Sequence, residues 1–93
     1  MQVGCTQLAI CNFAPSVNPV VVSLDPEPYF EKDLEIAAGD CSLYTFLFVT
    51  SVDVNGYDPG ALENEDSITV EIPLLTSREI WWDGSEFTEQ PAP

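Results

Sequence analysis

Ser67-Ile68-Thr69-Val70-Glu71-Ile72 alternates polar and apolar residues without a break. Successive side chains of an extended chain point to opposite faces, so Ile68, Val70 and Ile72 share one face and Ser67, Thr69 and Glu71 the other. This is the pattern of a half-buried strand. Pro73 lacks the N–H needed to continue a central ladder and marks an end, an edge or a bulge. On the other side, Glu63-Asn64-Glu65-Asp66 reads as a polar loop leading into the strand.

The same alternation recurs in both directions. Trp82-Asp83-Gly84-Ser85 carries the signal of a two-residue hairpin, because a type I′ turn needs φ > 0 at both central positions. That turn pairs Ile80 with Phe87 and Trp82 with Ser85 on a core face, leaving Glu79, Trp81, Glu86 and Thr88 outside. Val54-Asn55-Gly56-Tyr57 carries the same turn signal, with Pro59 shortening the return strand. Residues 3–13 and 17–24 read as strands separated by Pro15, and Val20-Val21-Val22 favours a pleated surface. The segment 29–38 fits either a strand, with Phe30, Leu34 and Ile36 on one face, or a short helix running from Pro28 to Gly39. Its strand-rich surroundings favour the strand. Together these signals predict an all-β chain of about six or seven short strands, a single small antiparallel sandwich or barrel over residues 1–90 with 91–93 as a tail.

Within this pattern, the order Asp33-Leu34-Glu35-Ile36-Ala37-Ala38-Gly39-Asp40, then Leu43 to Val49, then Asn55-Gly56 resembles immunoglobulin-like sandwich domains of phage structural proteins. The resemblance spans about a third of the chain. It lies in a strand, a Gly-Asp turn, an aromatic-rich strand and an Asn-Gly turn, without the Cys…Trp…Cys core of antibody domains. It implies a structural role in a virion, by analogy of fold alone.

Composition narrows the function classes. The 93 residues hold 16 Asp and Glu against two basic residues, Lys32 and Arg78, with no His and a formal net charge of −14. At 45% hydrophobic and 11% aromatic the chain is nevertheless rich enough in apolar groups to fold. Such a field repels nucleic acid and anionic lipid and favours a basic partner, divalent cations, or a duct through which DNA must slide. No signal peptide and no transmembrane segment is expected, which points to a virion or the cytoplasm. Cys5, Cys11 and Cys41 do not form a disulfide framework. Cys5 and Cys11 on one strand would stand ~20 Å apart, and all three read as small buried residues in a reducing compartment.

Catalysis lacks its usual parts. There is no His base, Lys32 is held protonated between Glu31 and Asp33, and no cation lies near any cysteine in sequence. No phosphate-cradling glycine loop is present. The chain is read as a non-enzyme without a cofactor. Asp53, Asn55 and Asp58 offer oxygen ligands of the kind calcium takes, but Tyr57 and Asn64 occupy positions where the EF-hand template needs ligands. They are read instead as a hairpin turn with solvated carboxylates, and no metal site is expected.

Surface apolar groups are the more informative candidates. Trp81 falls among acids on the outward face, either covered by a terminal segment or acting as an interface anchor. Along 43–52, Tyr44, Phe46, Phe48 and Val52 share one face and Leu43, Leu47 and Val49 the other. The second set needs a cover: segment 29–38 as a helix, or another subunit. The expected function is therefore a structural or assembly protein, a virion accessory part such as a head decoration (cement), neck or tail protein. It would bind capsid or tail subunits, or itself, through Trp81, Leu43, Leu47 and Val49. The alternative is an acidic DNA mimic that occupies the basic groove of a nucleic-acid enzyme.

Overall fold

The computed structural model describes residues 3–29 and 34–91, and within them every regular element is a strand. Eight strands occur in chain order: β1 (Cys5–Asn12), β2 (Val20–Asp25), β3 (Glu35–Ile36), β4 (Cys41–Leu47), β5 (Ser51–Asp58), β6 (Ala61–Glu71), β7 (Ser77–Trp82) and β8 (Phe87–Glu89). They form two four-stranded sheets, β4-β1-β7-β8 and β3-β2-β5-β6. The all-β sandwich expected from alternation is what the chain adopts. One pairing departs from the antiparallel expectation: β1 and β7 run parallel, Gln7 opposite Ser77 through Asn12 opposite Trp82. Parallel neighbours need a long crossover, and here the whole second sheet lies between them in sequence.

The core lies between the sheets. Leu8, Ile10, Tyr44, Phe46, Ile80, Trp82 and Phe87 from the first sheet meet Val20, Val22, Ile36, Val52, Val54 and Val70 from the second, all buried. Ile72 is buried with them and Ile68 packs at the margin, so the three apolar positions of 67–72 do share the core side. Asn12, fully buried, ties the loop before β2 to the end of β3 by donating through Nδ2 to Asn18 O and Ile36 O, both at 2.9 Å.

Several local expectations are corrected. Asn55-Gly56 is not a turn; it sits mid-strand, with Gly56 opposite Val22 on one side and Asp66 on the other. The turn comes at Pro59-Gly60, where Asp58 Oδ1 accepts the Gly60 N–H at 2.8 Å. Glu63-Asn64-Glu65-Asp66 is not a loop but part of β6. An edge strand can be polar on both faces, and charge there discourages pairing with another chain. The hairpin at Asp83-Gly84 is wider than two residues: Trp82 pairs with Phe87 and Ile80 with Glu89. Asp83 Oδ1 accepts the backbone N–H of Ser85 and Glu86 at 2.9 and 3.0 Å, which holds a four-residue loop. Partial burial alone would raise the Asp83 pKa, but these bonds and the Ser85 hydroxyl outweigh it and hold the group below its ordinary value.

The cysteine reading is corrected as well. Cys11 and Cys41 are opposite each other on β1 and β4 and joined by a disulfide. Spacing along the sequence bears only on Cys5 and Cys11, whereas antiparallel register brings Cys41 to Cys11 from 30 residues away. Cys5 alone is a free, buried thiol. Of the 29–38 segment, Glu35–Ile36 is strand, paired to Val21 and Val20, and the Tyr29 N–H donates to Thr45 O at 2.7 Å. Phe30, Glu31, Lys32 and Asp33 lie outside the described residues. Among the described residues no helix is long and apolar enough to cross a membrane.

Candidate interaction surface

The two outer faces of the sandwich differ in chemistry. In the second sheet, Asp25 faces Asp53, which faces Thr69, and Ser51 faces Glu71 one rung further along. Next to them Ser23, Asn55 and Ser67 form a polar rung, and Tyr57 faces Glu65. Short polar contacts tie this face together: Thr69 Oγ1 donates to Asp53 Oδ1 at 2.7 Å and Ser51 Oγ to Glu71 Oε1 at 3.2 Å. It is a hydrated, acidic surface.

The first sheet is the opposite. Leu8 opposite Tyr44 and Ile10 opposite Ile80 point into the core, so the alternate positions point outward. Outward on β1, β4 and β7 lie Ala9 opposite Leu43, Cys5 opposite Leu47, and Cys11 between Cys41 and Trp81. Leu43, Leu47 and Trp81 are 45%, 40% and 38% exposed. Trp81 packs edge-on to Phe13, ring centroids 5.0 Å apart, and its indole N–H donates to the Glu79 carboxylate. Glu79 is the one acid among the described outward positions of β1, β4 and β7, and that contact occupies it. A shallow depression of about 240 Å³ beside Leu43 is bordered by Gln7, Ala9, Ser77 and Gln90.

Of the residues expected to form an interface, Trp81, Leu43 and Leu47 therefore stand on one face. Val49 does not join them: the strand ends at Leu47, Phe48 turns with φ 56°, and Val49 packs against the core. The same turn takes Phe48 off the face it was expected to share with Tyr44 and Phe46 and leaves it 72% exposed.

The calcium candidates do not converge. Asp53 and Asn55 point outward from β5, while Asp58, of opposite parity, is buried and accepts a hydrogen bond from Asn18 Nδ2 at 3.0 Å. Among the described residues no group of three or more His, Cys, Asp or Glu could hold a metal ion.

Sequence reasoning missed two features of this surface. One is the disulfide beside Trp81, which only register reveals. The other is the distribution of acids: residues 1–24, 41–52 and 72–78 contain no Asp or Glu. Those segments supply β1 and β4 whole and the start of β7, so three strands of the first sheet draw on acid-free stretches, although residues 20–24 and 51–52 of the same stretches run in the second sheet. No family model, no curated protein and no solved structure matches this chain.

Proposed function

We propose that this chain is a non-enzymatic assembly component that seats a neighbouring protein subunit against the outer face of its first sheet. The observation that carries the reading is the asymmetry of the two faces. In a chain of charge −14, β1 and β4 bear no acid, and Leu43, Leu47 and Trp81 remain exposed on the sheet they build with β7. Desolvating this face on binding strips water from few carboxylates, whereas the other sheet would lose hydration of several. The setting suggested by the sequence resemblance is a virion, as a head decoration, neck or tail part. The Cys11–Cys41 disulfide is in keeping with it, because such bonds persist on particles exposed to oxidising surroundings and are rare in the cytosol.

Light scattering after size exclusion, together with capture of native partners, tests the reading. Trp81→Ala and Leu47→Ser should each weaken association, Trp81→Ala by about 30-fold as for an interface anchor worth ~2 kcal/mol. Leu47→Ser should move the unfolding midpoint little, whereas Trp81→Ala also loses the Phe13 ring contact and the hydrogen bond to Glu79 and should cost about 1 kcal/mol, too little to unfold the chain. Association unchanged in both variants would remove the assignment.

A second reading draws on the other face. The cluster of Asp25, Asp53, Glu65 and Glu71 on the second sheet could stand in for phosphates in the groove of a DNA-binding enzyme. Recovery of a nuclease or glycosylase, with binding lost in Asp25→Lys/Asp53→Lys and kept in Trp81→Ala, would favour the mimic over the assembly part.

A further inference from the structure

Asn55-Gly56 carries a chemistry of its own that the strand around it leaves unused. In such a pair the backbone nitrogen of the glycine attacks Cγ of the asparagine side chain. The new C–N bond closes a succinimide ring and the Cγ–Nδ2 bond breaks. The glycine N–H proton passes to solvent, and the side-chain nitrogen takes up a proton and leaves as ammonia. Water then opens the ring at one of its two carbonyls. One product is aspartate; the other is isoaspartate, in which the main chain runs through the side-chain carbons. Glycine favours the attack because no Cβ crowds its nitrogen or limits its backbone. The other asparagines are followed by Phe13, Pro19 and Glu65, which are bulkier or, in Pro19, lack the N–H.

The fold holds the pair out of this reaction. Asn55 is exposed and lies between Ser23 and Ser67; Gly56 is buried and lies between Val22 and Asp66, so both are in a central strand with a ladder on each side. Extended backbone keeps ψ near ~135°, and ring closure needs the peptide plane after Asn55 to swing far from that value. The swing breaks the ladder and withdraws Gly56 from the Phe87 ring that rests on it, so close that an added Cβ would meet the ring at 2.5 Å. Val52 and Val54 on the same strand are buried in the core. Releasing β5 is therefore an opening of the domain and not the fraying of a loop.

We propose that Asn55-Gly56 is a latent deamidation site, closed in the folded chain and open when β5 is released, whose isoaspartate product prevents return to the fold. The co-reactant is water alone. Isoaspartate adds an atom to the main chain between positions 55 and 56, and strand pairing depends on a fixed repeat. Beyond the added atom, Gly56 has to face Phe87, and buried Asp58 has to accept from Asn18 Nδ2 at 3.0 Å and from the Gly60 N–H at 2.8 Å. These contacts cannot be met together with those of Val52 and Val54 before it. Unfolding is thus made irreversible by the chain's own backbone, as happens when an unfolded state is modified faster than it refolds. Neither residue belongs to the outer face of the first sheet, so the site acts whatever partner that face holds.

The experiment holds the full-length chain, disulfide intact, at mildly alkaline pH in buffer and across a urea series. Peptide mapping by mass spectrometry reads the mass gain at position 55 and separates it from Asp83-Gly84, where ring closure expels water and rehydration restores the mass. In concentrated urea Asn55 should react ahead of Asn12, Asn18 and Asn64. In buffer it should react at least ~1000-fold more slowly, because a stable small domain keeps its open form at or below ~10⁻³ of the population. Through the series the rate should follow the unfolded fraction. The isoaspartate form, purified and returned to buffer, should not regain the native unfolding transition, whereas Asn55→Asp, which adds the charge without the main-chain atom, should refold. A rate in buffer equal to that in urea, or one that ignores the unfolded fraction, overturns the proposal. So does a native transition in the isoaspartate form, or failure of Asn55→Asp to refold.

Discussion

Gly56→Val is expected to lower the stability of this domain by about 3 kcal/mol, the upper end of what overpacking costs. Gly56 lies at the centre of β5, between β2 and β6, and faces the core. A Cβ at this position would meet the Phe87 ring at 2.5 Å and Val20 Cγ2 at 3.4 Å. Neither neighbour can retreat. Phe87 is buried, stacked at a tilt on Trp82 with ring centroids 5.0 Å apart, and its backbone N–H donates to Asp66 Oδ2 at 2.9 Å. Val20 is fully buried in β2. The absence of a side chain at Gly56 is thus what lets an aromatic ring from the first sheet touch the backbone of the second.

Coupling separates this contact from the ordinary dislike of a strand for substitution. Gly56→Ala alone and Phe87→Ala alone should each be costly, the second by ~3–5 kcal/mol. Together they should cost less than their sum by at least ~1 kcal/mol, because the added methyl occupies space the ring has left. Urea midpoints of the four proteins give the cycle. A wild-type midpoint for Gly56→Val, or strict additivity in the cycle, would mean that the ring does not rest on Gly56.

The same residue explains how far the fold is legible in the sequence. Asn-Gly between alternating hydrophobics is the strongest short-range hairpin signal, and at 55–56 it misleads. A strand glycine chosen for a long-range contact looks identical in sequence to one chosen for a turn. Periodicity survives such errors. A two-residue turn after Trp82 gives each residue the wrong partner, but the slip is by an even number of positions, which keeps every side chain on its own face. Ile80, Trp82 and Phe87 are therefore legible as core and Trp81 as outward. Val49 is not, because the left-handed residue at Phe48 breaks the alternation locally and turns Val49 toward the core, while Val52 keeps the inward side of Tyr44 and Phe46, and nothing local marks a Phe for that conformation. The candidate face needs strand order too: Leu43 and Trp81 lie on strands separated by β1, and only the parallel β1–β7 pairing puts them in one sheet.

Replacing the Cys11–Cys41 pair by Cys11→Ser/Cys41→Ser should cost about 3.5 kcal/mol. The bond closes a loop across a sequence separation of 30 residues, and chain entropy for a loop of that length gives roughly this figure at 25 °C. Small domains bury a modest share of their surface, so against a typical stability of ~5–10 kcal/mol the loss is large. The loop it closes contains β2 and β3, strands of the second sheet, while both cysteines belong to the first. Reduction therefore loosens the tie between sheets as well as the β1–β4 edge. Cys5→Ser, which breaks no covalent bond, should cost markedly less than the pair. Thiol titration of the denatured chain checks the pairing directly: one reactive thiol per chain before reduction and three after. Three thiols without reduction would show that the pair is not formed. The cysteines would then return to being small apolar residues, and the particle setting would lose the support it draws from oxidising surroundings.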